Sequence, residues 1–161
     1  MNDEERALRL AKARPVDAGA LAEISGRAFE DDIHYGAPGP GGPPGYNSEA
    51  WQARIMRVGQ YYKILYGEAI IGGLIVFPKG SRHYELGRIF IDPAYQNRGL
   101  GAEVIGLMES LYPLAARWTL GTPRWNRRTQ HFYEKMGYVQ VGYEGSDGVL
   151  YEKRMPTPAC R

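Results

Sequence analysis

The sequence has a single cysteine among its 161 residues, Cys160, one residue before the C-terminal end. One cysteine cannot form an intrachain disulfide, which excludes a disulfide-stapled domain and agrees with a reducing compartment. No apolar run approaches the ~20 residues that a membrane-spanning helix needs. The first residues, MNDEERALRLAKARP, are charged and lack the apolar core of a secretory signal. We therefore expect a cytoplasmic protein that does not associate with a membrane.

A large excess of charge of either sign is also absent. Lysine and arginine total 20 and aspartate and glutamate 18, which gives a formal net charge of +2. No dense basic run accompanies that charge, so nothing favours nucleic-acid binding. The three histidines have no metal-ligand spacing with a cysteine or carboxylate motif, and we expect no metal. A hydrophobic fraction of 43% predicts one domain over residues 1–161, with residues 156–161 as a flexible tail.

Hydrophobic periodicity and turn residues predict the element order β α α β β β α β α β β. The predicted strands cover residues 7–13, 61–66, 69–77, 84–91, 117–122, 138–143 and 149–154. The predicted helices cover residues 17–29, 48–58, about 99–111 and 126–136, with N-caps Asp17, Ser48 and Asn126. Because most strands are joined by hairpins and one connection is a crossover, this order indicates an α/β fold. Its sheet is mixed and mostly antiparallel, with about four helices.

Between the first two helices lies a stretch that cannot form a regular element. Residues 36–45 (GAPGPGGPPG), the Gly/Pro segment, are all glycine or proline except Ala37. Such a loop could be a mobile lid over a substrate or a surface insertion with no role. The acidic cluster Glu30, Asp31 and Asp32 precedes it. This cluster is either a solvated helix end or the entrance to a site for a cationic amine.

The most informative stretch is a strand, a glycine loop and a helix in succession, from Tyr84 to Leu111. Gly99 and Gly101 remove the Cβ atoms that would hold a ligand away from the backbone. The first-turn N–H groups of the helix have no partner inside it, and the positive end of its dipole points the same way. This pattern predicts a pyrophosphate site formed by Gln96, Asn97, Arg98, Gly99, Leu100, Gly101 and Ala102.

Two other kinds of nucleotide site fail on spacing. A dinucleotide site needs G-x-G-x-x-G/A in the first βα unit, with an acidic residue ~20 positions later. Here the third small position is Val104, and the loop follows several predicted antiparallel strands. The phosphate-binding loop G-x-x-x-x-G-K-[ST] does not occur in the sequence.

The loop resembles the Q/R-x-x-G-x-G/A acyl-CoA loop of the GNAT family of N-acetyltransferases, and it follows a strand ending in Ile-Asp-Pro, as in that family. Trp125-Asn126 and the segment 132–138, FYEKMGY, resemble the family's later asparagine and F-Y-x-x-x-G-F/Y motifs. These motifs in this order, with the predicted elements, extend the likeness over nearly the whole chain. The resemblance implies a GNAT-like fold and acetyl-CoA as the co-substrate.

The resemblance also implies roles for particular residues. Backbone groups near Phe90 and Ile91 would pair with the pantetheine arm, and an amide there would polarise the thioester carbonyl. Asn126 would bind the arm or order the site. Tyr133 would be the general acid that protonates the CoA thiolate, which suits a side chain that stays protonated at neutral pH. The alternative is that Tyr133 is one more core aromatic, on a different helix face from Phe132.

The general base has several candidates. Glu85 lies six residues before Ile91 on one predicted strand, and alternation puts both on the same face. Its carboxylate could take the ammonium proton directly or through water. An ion pair with Arg88 or a neighbouring lysine is the alternative for Glu85. The side chains of His83 and His131 are further candidates.

The sequence thus predicts acetyl transfer from acetyl-CoA to a primary amine. The transfer would be direct, because the only cysteine is Cys160, in the predicted tail. A non-catalytic acyl-CoA-binding module and an acyltransferase for larger acyl groups are the alternatives.

The acidic cluster and the tyrosines that flank the Gly/Pro segment favour a small-molecule amine over a protein as acceptor. The resemblance leaves a homodimer open. Arg98, Arg127 and Arg128 could contact the cofactor's phosphates or remain solvated.

Overall fold

One sheet of seven strands forms the centre of the molecule. In the computed structural model, which describes residues 7–156, the strands are β1 (Leu8–Lys12), β2 (Gln60–Tyr66), β3 (Ala69–Gly80), β4 (His83–Ile91), β5 (Arg117–Pro123), β6 (Val139–Glu144) and β7 (Gly148–Arg154). Their order in the sheet is β1-β2-β3-β4-β5-β7-β6. β4 and β5 are parallel, and the other neighbouring pairs are antiparallel. The predicted mixed, mostly antiparallel sheet is confirmed.

Four α-helices connect the strands. They are α1 (Ala18–Glu30), α2 (Glu49–Val58), α3 (Leu100–Leu111) and α4 (Arg127–Lys135). Short 3-10 turns lie at Pro15–Asp17, Asp31–Tyr35 and Pro93–Tyr95. The predicted order of strands and helices is confirmed, and each end lies within three residues of its predicted position. No helix within residues 7–156 is long and apolar enough to cross a bilayer. The predicted tail extends beyond the described residues, and Cys160 lies outside them.

The helices cover the two faces of the sheet in pairs. On one face α3 buries Val104, Ile105 and Met108 completely, and α4 packs beside it. On the other face α1 buries Leu21 and Ile24, and the partly buried apolar residues of α2 pack against the same cluster. Both faces of the central strands are therefore buried, which explains why β3 is apolar along most of its length.

Two of the three predicted N-caps are confirmed. The side chains of Ser48 and Asn126 each accept a hydrogen bond, at 3.1 Å, from the backbone N–H three residues later. Asp17 does not cap its helix in this way. Its carboxylate accepts hydrogen bonds from the N–H of Arg14, at 2.8 Å, and from Nζ of Lys63, at 3.0 Å. The reason is the 3-10 turn before α1, which holds Asp17 in a helical conformation.

The β3–β4 hairpin is tighter than the sequence predicts. The predicted strands leave residues 78–83 between them, but β3 continues to Gly80 and the turn consists of Ser81 and Arg82, with φ values of 53° and 60°. Positive φ at both positions is typical of the two-residue turns whose twist matches that of the strands. Pro78 is tolerated because β2 pairs with β3 only as far as Val76, which leaves that edge of β3 without a strand partner within residues 7–156.

Candidate active site

The parallel pair β4–β5 is joined only at its start. Pairing covers His83–Leu86 of β4 and Arg117–Leu120 of β5. Beyond that point β4 continues beside β3 to Ile91, while β5 continues beside β7 to Pro123. From residue 87 to residue 91, the edge of β4 that faces β5 has no strand partner in the described part of the chain. We call this opening the β4–β5 cleft.

The peptide groups of β4 alternate between β3 and the β4–β5 cleft. A Cβ atom on Gly72 of β3 would overlap the carbonyl oxygen of Phe90. The N–H of Asp92 donates to a β3 carbonyl at 2.7 Å. Phe90 and Asp92 thus direct their peptide groups toward β3. In an antiparallel ladder the next residues point the other way, so Ile89 and Ile91 direct theirs into the cleft.

This alternation corrects one predicted contact. Ile91 faces the cleft, as pairing with a pantetheine arm requires, but the peptide groups of Phe90 do not. The Phe90 side chain lies in the core, where its ring centroid is 6.3 Å from that of Phe29. The peptide groups that face the cleft are therefore those of Ile89 and Ile91, not those of Phe90 and Ile91. The sequence carried no signal for this, because the alternation is fixed by the pairing of β4 with β3.

The glycine loop forms the far end of the cleft. Asn97 and Gly99 both have positive φ, 62° and 74°, and α3 begins at Leu100. Within residues 7–156 no side-chain hydrogen bond caps this helix N-terminus, so the first-turn amides are available to a ligand. A Cβ atom on Gly101 would lie 3.4 Å from the Phe132 ring of α4, which places α4 beside the loop. The structure therefore has the open helix N-terminus that the predicted pyrophosphate site needs.

Gln96 and Arg128 connect the loop to both sides of the cleft. Gln96 donates from Nε2 to the carbonyl of Ile91 at 3.0 Å and accepts from Nη1 of Arg128 at 3.2 Å. Arg128 also forms an ion pair with Asp32, at 3.5 Å, and its guanidinium carbon lies 3.5 Å from the ring centre of Tyr35. Arg128 is therefore not simply a solvated arginine at a helix start.

Asp32 is correspondingly not a solvated helix end. Its side chain is 14% exposed, and burial raises its pKa even though Arg128 opposes the shift. Glu30, by contrast, is exposed and accepts a hydrogen bond from the Tyr46 hydroxyl at 3.3 Å. The acidic cluster thus divides into a partly buried member on the α4 side and an exposed member beside the Gly/Pro segment.

Both interpretations of Tyr133 have a physical basis. The residue is 6% exposed, and its ring packs between those of Phe132, Tyr138 and Tyr151, with centroids 5.2, 5.8 and 6.5 Å away. Burial raises the pKa of Tyr133. Among residues 7–156 its hydroxyl has no hydrogen-bond partner. Unlike the hydroxyl of Tyr138, it is not fully enclosed by the protein. The ring therefore belongs to the core, while the hydroxyl can donate to a ligand.

Asn126 caps α4 and also lies three residues after the end of β5, the strand on the far side of the cleft. Its Oδ1 atom accepts the N–H of Thr129, and the residue is 4% exposed. Its Nδ2 group has no hydrogen-bond partner in the described range and can donate to a ligand. The predicted cofactor contact by Asn126 remains a prediction.

Glu85 and Ile91 do not share a face, which corrects the expectation from alternation. Gly87 forms a bulge in β4, so that Ile75 of β3 pairs with Arg88 and the next residue pairs with Leu86. Leu86 and Ile91 therefore contact the α3 side, and Glu85 lies on the α1–α2 side with Arg88. A bulge of one residue reverses the alternation beyond it.

The three candidate bases, Glu85, His83 and His131, have different surroundings. Glu85 forms an ion pair with Lys79, at 3.6 Å, and not with Arg88; both partners are partly exposed. His83 contacts the Thr119 hydroxyl at 2.6 Å, and burial together with Arg117 lowers its pKa. His131 is exposed on α4. Within residues 7–156, no three histidine, cysteine, aspartate or glutamate side chains form a group that could hold a metal.

Solved structures show that this fold is one found among acetyltransferases. PaiA N-acetyltransferase from Thermoplasma acidophilum, in complex with coenzyme A, has a TM-score of 0.77 and 17% identity, covering 92% of this chain and 99% of that one. An acetyltransferase from Thermus thermophilus has a TM-score of 0.79 and 18% identity, covering 92% and 97%. The ribosomal-protein-S18-alanine N-acetyltransferase from Escherichia coli has a TM-score of 0.72 and 16% identity, covering 96% and 99%.

The sequence defines the family more narrowly. Residues 26–138 match the model of the acetyltransferase (GNAT) family, so the chain belongs to that family. The resemblance seen in the loop and in the later asparagine and F-Y motifs is therefore confirmed. No curated protein sequence matches the chain.

Proposed function

We propose that this protein transfers an acetyl group from acetyl-CoA to the primary amine of a small molecule. The observation that carries the proposal is the continuity of the open α3 N-terminus with the β4–β5 cleft. A pyrophosphate bound at Leu100–Ala102 leaves the pantetheine arm to run along the free edge of β4. Residues 87–91 span about 13 Å at ~3.3 Å per residue, so the thioester comes to rest near the start of the cleft.

The transfer itself needs few groups. The amine nitrogen attacks the thioester carbonyl, the C–N bond forms, and the C–S bond breaks. An N–H group of Ile89 or Ile91 can stabilise the oxyanion, because both face the cleft. Tyr133 gives its proton to the departing thiolate. Before the attack, Glu85 takes the ammonium proton, directly or through water, since Glu85 is partly exposed on the α1–α2 side. The second proton, which the nitrogen loses as the amide forms, restores Tyr133 through water.

The acceptor is proposed to be a small amine because of the charges on the α1–α2 side. The exposed Glu30 gives this side negative charge beside the Gly/Pro segment, which attracts an ammonium group, whereas the charge of Asp32 is matched by Arg128 on the α4 side. A protein acceptor remains the alternative. The predicted cytoplasmic location and homodimer stay predictions.

Release of free CoA thiol, measured across amines, polyamines, aminoglycosides, amino acids and peptides, tests the proposal. Release with a small amine would support it. Tight acetyl-CoA binding without release by any acceptor would favour a non-catalytic binding module. A panel of longer acyl-CoA donors would test the alternative of a larger acyl group.

Ala102→Asp tests the donor site. The residue is exposed in the first turn of α3, where a carboxylate interacts favourably with the helix dipole, so the unfolding temperature should hold or rise slightly. The same charge should repel the pyrophosphate and weaken acetyl-CoA binding about 10-fold or more, measured by calorimetry. Ser110→Asp, at the other end of α3, is the control and should leave the affinity unchanged. Equal affinities for Ala102→Asp and the native protein would contradict the donor site.

Glu85→Gln tests the base. If Glu85 takes the proton, kcat/KM should fall about 100-fold at neutral pH and recover in part at high pH, where the amine is already neutral. Lys79→Met breaks the same ion pair and leaves the carboxylate in place. A similar, small change in both variants would identify Glu85 as a structural partner of Lys79 instead.

A further inference from the structure

Arg88 is a charged side chain that the transfer described above does not use. It lies on β4 at the start of the β4–β5 cleft, on the face that α1 and α2 cover. Its guanidinium carbon is 4.2 Å from the ring centre of Trp51 and 5.9 Å from that of Phe29. Its Nη2 atom donates to the carbonyl of Pro44, in the Gly/Pro segment, at 3.2 Å. These contacts hold the guanidinium in one position.

The charge of Arg88 has no counter-ion in the described part of the chain. No ion pair within residues 7–156 includes it. Its Nη1 atom is enclosed and has no hydrogen-bond partner there. Burial lowers the pKa of Arg88, and the nearby Tyr61 opposes this shift only in part. A half-buried guanidinium with an enclosed, unpartnered nitrogen and no anion is unfavourable, so this arrangement would be stabilised by an anionic ligand.

We propose that Arg88 binds a carboxylate of the acceptor, which makes the acceptor an amino acid or a related small molecule with both groups. The proposal rests on the amine acetylation proposed above and narrows its substrate class. The planar guanidinium matches the geometry of a carboxylate. Ile89 and Ile91, which would receive the thioester, lie one and three residues further along β4, about 3 and 10 Å at ~3.3 Å per residue. One small molecule can span the distance between these two points.

The Gly/Pro segment takes part in this site. Because Nη1 is enclosed and Nη2 donates to Pro44, a carboxylate can bind both Nη atoms only when the segment moves aside. The end of the segment is anchored, since Nε2 of the buried Gln52 lies 3.2 Å from the carbonyl of Gly45 and 3.4 Å from that of Tyr46. An anchored segment rich in glycine can open and close again over a bound acceptor, which makes it a lid rather than an inert insertion.

The test compares acceptors that differ only in the carboxylate. CoA release is measured with the common L-amino acids, with their amides, and with the matching amines that lack a carboxylate. We expect at least one amino acid to have a kcat/KM about 10- to 100-fold above that of its amide. Arg88→Gln should remove this difference by lowering kcat/KM for the amino acid, with the KM for acetyl-CoA unchanged. Arg88→Lys should be intermediate, and Arg57→Gln, on the exposed side of α2, is the matched control.

Two kinetic results would overturn the role of Arg88 while leaving amine acetylation intact. One is native protein that uses amides or polyamines as well as it uses amino acids. The other is an equal loss for amino acids and amides in Arg88→Gln, which would indicate a purely structural residue.

A binding measurement covers the case in which no amine releases CoA. The CoA-bound protein is then heated with each amino acid. A rise in unfolding temperature for the native protein, absent in Arg88→Gln, would support the carboxylate site although acetyl transfer had failed. No rise with any amino acid would overturn it.

Discussion

Replacing Tyr133 with phenylalanine is expected to lower kcat by about 100-fold or more while acetyl-CoA binds as tightly as before. The phenylalanine ring keeps the packing against Phe132, Tyr138 and Tyr151, so the core is preserved. Only the hydroxyl is lost, and with it the proton that the proposed mechanism gives to the CoA thiolate; general acid catalysis typically contributes about 10²–10⁴ in rate. Steady-state kinetics gives kcat, and calorimetry gives the affinity. A variant with native kcat would remove Tyr133 from the mechanism.

Tyr138→Phe is the matched control for Tyr133→Phe. Tyr138 is also buried on the α3–α4 side, and its hydroxyl is enclosed without a partner among residues 7–156. Removing an unpartnered buried hydroxyl should leave stability unchanged or slightly higher. We expect kcat within about twofold of the native value, because the proposed mechanism uses Tyr133 alone as the general acid.

The pH dependence of kcat gives a second measure of the role of Tyr133. Burial raises the pKa of Tyr133 above the ordinary tyrosine value of about 10, because the anion is disfavoured away from water. The hydroxyl thus keeps its proton to a higher pH than a free tyrosine. The rate should rise as the acceptor amine loses its proton and should show no decline from Tyr133 below about pH 10. A decline with a midpoint near neutrality that Tyr133→Phe abolishes would contradict this.

The second large effect is expected from Gly72→Ala. A Cβ atom at this position would overlap the carbonyl oxygen of Phe90, and a backbone carbonyl cannot turn away as a flexible side chain can. β3 and β4 would have to separate, at a cost of about 3 kcal/mol or more in the free energy of unfolding. The unfolding temperature should fall by roughly 6–12 °C. Acetyl-CoA affinity should fall as well, because the displaced part of β4 borders the cleft.

Gly106→Ala makes the same chemical change with the opposite expected sign. Gly106 is exposed in the interior of α3, and a Cβ atom there would meet nothing within 4 Å. Alanine is favoured over glycine inside a helix by about 1 kcal/mol, so the unfolding temperature should rise by roughly 2–4 °C. Thermal unfolding of both variants checks the pair. Similar losses in both would show that the close approach of Gly72 to Phe90 is not what limits the substitution.

Much of the fold could be predicted because its signals are local. The caps Ser48 and Asn126 are recognisable from the residue types that begin a helix, and the apolar stripe of α3 from its period. The glycine loop before α3 is likewise a local pattern. The end of β3 was misplaced for a non-local reason: Pro78 could stay in the strand only because β2 stops pairing at Val76.

The site was predicted less completely than the fold, because its geometry depends on how strands pair. The predicted face of Glu85 was wrong because a bulge at Gly87 reverses the alternation. A glycine inside a strand is a local sign of a bulge, but it does not fix where the register shifts. Phe90 was predicted to direct its peptide groups into the cleft, but Ile89 does so instead, because of how β4 pairs with β3. The Arg128–Asp32 ion pair joins residues 96 positions apart, and such contacts cannot be deduced from one sequence.

By itself the sequence determined the element order, the glycine loop before a helix that begins at Leu100, and the likeness to the GNAT family. Each depends on neighbouring residues: periodicity, capping and glycine spacing. Tertiary structure alone decided which β4 peptide groups face the cleft, that Glu85 pairs with Lys79, and that Arg88 is half-buried without a counter-ion among the described residues. These follow from strand register and from packing between distant segments, which a single chain does not encode in any local pattern. The glycine loop before α3 could therefore be predicted from the sequence, and the surroundings of the proposed acceptor could not.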